Sequence, residues 1–297
     1  MHGPPATSEE APNIIQHRIY VTLQQKYAGA NPILRSHIMM DPEEQSKFAI
    51  HEAAREGRST SSTFMTSPPH LSGLANNVWL ASVVESLLNA NPGLSSRRDT
   101  DDRLPIHWAI SYNHLPIVEL LVQRKDFDPD AQDGSGWTPL MIAASLKEGD
   151  ELVDLLLRKE ADVNSKNFSG QTALHFCASK NNLDIARKLV QHKASARVKD
   201  KRGQLALHRA AAIGSVPMVK LLIDNRSPLN ATDISGLTAL HHAISEGHGD
   251  TALLLLKAGA ETDKRDMDDH LAIDLAPDTK IRAFILQSAA QEGIDLS

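Results

Sequence analysis

The stretch TALHFCASKN, residues 172 to 181, sets His175 two residues before Cys177, the single cysteine in 297 residues, with Lys180 three further on. An imidazole near a lone thiol is the pattern of a nucleophile and its activating base. A second stretch, HHAISEGHGD, gathers His241, His242, Glu246 and His248 at spacings that suggest a metal. Both chemistries depend on the elements that carry these side chains, and on whether the same letters recur where no chemistry is at stake.

They do recur. FAIHEAAREG (48 to 57), LPIHWAISYN (104 to 113), TPLMIAASLK (138 to 147), TALHFCASKN, LALHRAAAIG (205 to 214), TALHHAISEG (238 to 247) and LAIDLAPDTK (271 to 280) are versions of one phrase. Its fourth letter falls at residues 107, 141, 175, 208, 241 and 274, so the period is 33 or 34; His51 stands 56 before His107. The excess is assigned to residues 59 to 77, rich in Ser, Thr, Pro and Asn, as a loop insertion. After each phrase comes an apolar run such as IVELLV, LVDLLL, IARKLV or MVKLLI, then a polar connection such as ADVNSKNFSGQ. The pattern predicts a helix opened by a Thr cap, a turn, a second helix and a hairpin-like tip.

A period near 33 residues with a T-P-L-H-x-A core is similar to the ankyrin repeat. The resemblance implies an all-α solenoid of about seven helix-turn-helix units with hairpin-like tips, over residues 41 to 290. Residues 1 to 40 then read as a disordered or loosely packed leader, and 291 to 297 as a tail. In ankyrin repeats the histidine bonds back to the threonine and across to the adjacent unit, so His175 and His241 belong to the scaffold. Cys177 aligns with Ala53, Ala109, Ala143, Ala210, Ala243 and Ala276, which predicts a buried thiol acting as a slightly larger alanine. His248 sits in the turn between helices. No catalytic residue, cofactor or metal is expected.

Composition narrows the class further. Thirty-one basic against 37 acidic side chains give a net charge of −6, which disfavours bulk nucleic acid or an anionic membrane as partner. One cysteine and no cysteine cluster point to a reducing compartment, the cytoplasm or nucleus. The aliphatic run ALLLL (252 to 256) is far too short to cross a bilayer. Asn167, Asn225 and Asn230 match a glycosylation pattern by chance on this reading.

Positions at which the repeat does not dictate the residue are where specificity is written. Just before each helix cap stand Arg103, Trp137 and Gln171; around the tip turns stand Asp101, Asp133, Phe168, Lys201 and Arg202; beside the first histidine stands Trp108. Tyr112, Leu146 and Lys180 share one offset at which other units carry Glu56, Ile213 and Glu246. The acids cluster in units two and three and the bases in unit five, with aromatic anchors between them, which predicts a folded protein partner of matching bipolar charge.

A closer likeness lies in HWA (107 to 109), DGSGWTPLMIAAS (133 to 145), TALHFCASKN followed by IARKLV, ALHRAAA (206 to 212) and KASARVKD (193 to 200). These resemble the gankyrin family of proteasomal regulatory-particle chaperones. The resemblance implies a non-catalytic assembly chaperone of the 26S proteasome base, monomeric when free. Its concave face would hold the C-terminal domain of the third triple-A ATPase of the regulatory particle. Asp101, Arg103, Trp108, Trp137 and Lys180 match the family's contact positions, with Arg103 and Lys180 expected to meet acidic side chains. The leader, the 59 to 77 insertion and Gly134 at a tip depart from the family pattern, and its Leu-x-Cys-x-Glu motif is absent. The alternative reading is an ankyrin signalling or transcriptional scaffold with a different protein partner.

Overall fold

The computed structural model describes residues 50–51, 54–55 and 73–296. The leader and most of the inserted segment lie outside the described residues. Twelve α-helices follow from there: α1 (Gly73–Ala90), α2 (Pro105–Ser111), α3 (Leu115–Val122), α4 (Pro139–Ser145), α5 (Asp150–Arg158), α6 (Ala173–Lys180), α7 (Leu183–Gln191), α8 (Ala206–Ile213), α9 (Val216–Asp224), α10 (Ala239–Ser245), α11 (Gly249–Lys257) and α12 (Thr279–Gln291). Two 3₁₀ turns, Pro92–Ser96 and Ala272–Leu275, complete the order, and no β-sheet forms among the described residues. The result is an all-α solenoid in which even-numbered helices from α2 to α10 open successive units and odd-numbered ones close them.

Helices of seven or eight residues, such as α2 and α6, do not persist alone in water, so each must be stabilised by its neighbours. The repeated phrase supplies the means. Pro105 and Pro139 occupy the first helical position, where a missing N–H costs nothing. Ala109, Ala143, Cys177, Ala210 and Ala243 are all fully buried where adjoining first helices meet, and their small side chains allow close approach. First helices pack more closely on one another than second helices do, so the stack curves with the first helices and tips on its inner side.

The histidines act as staples between units. His175 Nδ1 accepts the Thr172 N–H at 3.1 Å and meets the Thr172 hydroxyl at 2.9 Å, while Nε2 reaches the Gln204 carbonyl of the next unit at 3.1 Å. His107 and His208 make the same local bond to Leu104 and Leu205, and reach across to the carbonyls of Ala131 and Ala231. His51 does likewise to Arg103, which ties the first unit into the stack. Burial drives His175 and His208 down to a pKa of about 4, keeping both rings neutral near pH 7.

Two boundaries differ from the sequence reading. Residues 73 to 77, expected to end a loop, open α1, the second helix of unit one. At 18 residues it is twice the length of its counterparts: Asn76 and Asn77 read as loop by composition, but packing of the continuing helix overrides that weak preference. In the last unit the first helix shrinks to the Ala272–Leu275 turn. Asp274 stands where the histidine would, and its Oδ2 accepts the Leu271 N–H at 3.2 Å, so the local cap survives the substitution. The closing α12 buries Ile285 and Ala289 and turns Phe284 and Leu286 to solvent, as a terminal layer must.

Candidate protein-binding face

Each tip is organised by one side chain: Asp99, Asp133, Asn167, Asp200, Asp233 or Asp266. In every case Oδ1 accepts the backbone N–H groups two and four residues on; Asp133 takes those of Ser135 and Trp137, and Asp200 those of Arg202 and Gln204, all at 2.9 Å. Adjacent tips are then stitched by the backbone, with Phe168 N–H on Ser135, Lys201 on Ser169 and Ile234 on Arg202, at 2.9 to 3.2 Å. At Gly203, φ is +72°, and a Cβ would stand 3.1 Å from Asp233 Cα in the next tip, so the glycine permits this close stacking.

The second carboxylate oxygen is governed by the residue nine positions on, just after the framework histidine. Trp108 Nε1 donates to Asp99 at 2.6 Å, Arg209 to Asp200 at 2.7 Å, and His242 meets Asp233 at 3.0 Å. Burial alone would raise these three acids; the hydrogen bonds they accept outweigh it and hold each below the usual carboxylate range. In units three and four the corresponding residues, Ile142 and Phe176, have no donor. There Asp133 instead accepts Arg103 Nε from the preceding tip at 3.1 Å, and position 167 is an uncharged Asn bonded to Gln171.

The acidic and aromatic end is therefore a connected structure. Arg103 lies 4.6 Å over the Trp108 ring, Arg55 lies 5.0 Å from that ring, and Tyr112 stacks on it at 6.2 Å. Asp101 stands exposed on a depression shared with Arg103, Asp133 and Gly134. One unit on, Trp137 packs on Phe176 with centroids 4.0 Å apart, and Phe168, 58 % exposed, lies against the Gly136 backbone. The sequence reading is corrected at Asp133: expected to face a partner, it is 3 % exposed, and its oxygens are occupied by its own tip and by Arg103. Leu146 and Gln171 are only half exposed, Leu146 packed on the core and Gln171 tied to its tip Asn.

Farther along the same side, Lys180 at the end of α6 and Lys201 and Arg202 at the fifth tip are exposed, and their side chains have no ion-pair partner among the described residues. Arg209, His242 and Phe176 also line this side; the sequence reading placed none of them on a binding face, and His242 entered it only as a candidate metal ligand. They share the offset of Trp108, which is the signal by which they could have been found.

The two chemical readings do not survive the geometry. Cys177 is fully buried, its sulfur 3.8 Å from the Ala144 carbonyl, and burial pushes the thiol far above its ordinary range. Both His175 nitrogens are engaged elsewhere. His241 is bonded to Thr238, His242 to Asp233 and His248 to the Ala212 carbonyl, so they do not converge. Asp266, Asp268 and His270 are the one grouping among the described residues close enough to ligate an ion, but Asp266 holds the other two through their backbone N–H groups, as every tip does. The described fold carries no catalytic constellation, and none of its helices is long and apolar enough to cross a membrane.

A family model described as ankyrin repeats (3 copies) matches residues 71–167, 127–200, 144–233 and 174–266 in overlapping registers. The chain belongs to the ankyrin-repeat family. This ankyrin-repeat protein is 36 % identical over 216 residues to ankyrin repeat-containing protein C6C3.08 of Schizosaccharomyces pombe, covering 72 % of this chain and 92 % of that one. It is 37 % identical over 211 residues to the probable 26S proteasome regulatory subunit p28 of Saccharomyces cerevisiae, covering 69 % and 92 %. A match to human neurogenic locus notch homolog protein 1, 36 % over 95 residues, spans 32 % of this chain and 4 % of the larger protein. The ankyrin-repeat protein is thus related to the p28 subunit along almost the whole of that relative, and its fold is that of a non-catalytic protein-binding scaffold.

Proposed function

We propose that this ankyrin-repeat protein is an assembly chaperone for the base of the 26S proteasome regulatory particle, binding the C-terminal domain of the third ATPase subunit across units two to five. The observation that carries the reading is the relationship to the p28 subunit over 92 % of that protein's length. Charge supports it too: Arg103 is fixed at one end by Trp108 and Asp133, and Lys180, Lys201 and Arg202 stand open at the other, an arrangement suited to a folded domain with acidic patches. The same reading puts the protein in the cytoplasm and nucleus, monomeric until it binds.

The test is capture from cell extract followed by mass spectrometry. Base ATPases should be recovered with the full chain, and charge reversal at Arg103→Glu and Lys180→Glu together should weaken capture about 100-fold or more. Recovery of an unrelated partner with no base ATPase, or undiminished capture by the double variant, overturns it.

A further inference from the structure

Between units four and six the inner face forms a groove lined by Ser179, Arg202, Gln204, Arg209, Ile213 and His242. At about 180 Å³ it is smaller than the ~300 to 1,000 Å³ of sites that enclose small organic ligands, and matches a single side chain better. Its central group is Arg209, only 13 % exposed. One terminal amine donates to Ser179 Oγ at 3.1 Å and the other to Asp200 at 2.7 Å, so neighbouring units hold the guanidinium from both sides. Each terminal amine carries a second N–H beyond the one engaged. The two acids behind the groove are covered: Asp200 by Arg209 and its tip, Asp233 by His242 at 3.0 Å and Gln204 at 3.4 Å. They therefore offer no open oxygen to a cation. At the mouth the side chains of Arg202 and the adjacent Lys201 are exposed and form no ion pair among the described residues, Asp200 beside them being taken up by Arg209 and its own tip, and Ile213, 44 % exposed, supplies an apolar wall.

We infer that this groove is a socket for a carboxylate side chain, Glu or Asp, projecting from the protein bound on the inner face. The inference rests on the reading that a protein binds there. Arg209, already held by two hydrogen bonds, and Arg202 at the rim line the same groove and supply N–H donors for the incoming oxygens, and Ile213 packs on the methylene stem. Fixing Arg209 beforehand lowers the ordering cost of binding.

Two measurements test it. Side-chain N–H signals of the full-length protein are followed by NMR during titration with N-acetylglutamate N-methylamide and with its neutral glutamine counterpart. Arg209 and Arg202 should shift saturably with the glutamate compound alone; equal shifts with both, or none, overturn the socket. In parallel, capture of the ATPase domain should fall at least tenfold for Arg202→Glu and for the charge-neutral pair Arg209→Gln with Asp200→Asn, whereas Lys193→Glu, just beyond the end of α7, stays within twofold. Unchanged capture by both groove variants overturns the socket and leaves the proposed function standing. Failure of the unaltered chain to capture the domain overturns the proposed function, and the titration then decides the socket by itself.

Discussion

At the third tip Asp133 is buried and grips Arg103 of the tip before it, whereas two tips on Lys201 and Arg202 stand in solvent with no acid to answer them. The backbone is the same in both places: one Oδ1 bridging N–H groups two and four residues ahead, one glycine turning the chain. What differs is where the charge ends up. In units two and three it closes on itself, through Asp99 to Trp108, Arg103 to Trp108 and Arg103 to Asp133. In units four to six Asp200 and Asp233 are satisfied by Arg209 and His242, and the surplus bases remain open. The first region uses charge to stiffen an aromatic platform, and the second keeps it for an incoming partner.

That contrast predicts unequal costs. Asp133→Ala leaves two tip N–H groups and Arg103 without their acceptor and should destabilise the fold by about 3 kcal/mol in urea unfolding, the largest effect here. Acid should act next. His175 and His208 are held near pKa 4 in the fold and revert to about 6.5 when unfolded, so their contribution is complete above pH 6.5 and is lost as pH falls towards 4. Stability should drop by roughly 2 kcal/mol per ring between pH 7 and 5, a slope that His175→Gln reduces. Trp108→Phe keeps an aromatic ring, though a smaller one, and deletes the N–H bonded to Asp99, costing about 1.5 kcal/mol and loosening Arg103. Cys177→Ala should cost about 1 kcal/mol, and the native thiol should react with a disulfide reagent only as fast as the protein opens. Arg202→Ala and Lys180→Ala should move stability by less than about 0.5 kcal/mol while weakening partner capture; equal stability losses at Arg202 and Asp133 would erase the distinction between the regions.

Much of the scaffold was legible because repetition samples each position several times. Six alanines against one cysteine identify the slot of Cys177, and the histidine column predicts a staple that the hydrogen bonds of His107, His175 and His208 display. The binding face was legible only by offset. Trp108, Trp137, Lys180, Lys201 and Arg202 emerged as free positions, but Asp133 was misread because an acid at a tip looks the same whether it points outward or back into its own turn. Arg209 was missed and His242 was weighed only as a metal ligand, since a polar residue after the histidine has no meaning until the tip acid nine residues earlier is seen beside it. Residues 73 to 77 were misplaced because composition, an average over neighbours, does not sense the helix that continues behind them.

Spacing and residue type were enough to determine the unit, its period and the inert thiol, since all of these follow from local hydrogen bonding and from steric limits that every unit shares. Which charges are closed and which are open was decided only in three dimensions. Arg103 meets Asp133 thirty residues away, and Arg209 joins Ser179 to Asp200 across a unit boundary. Coulombic and hydrogen-bond partners act over a few ångströms of space, and in a stacked chain those ångströms separate residues that the sequence holds a full repeat apart.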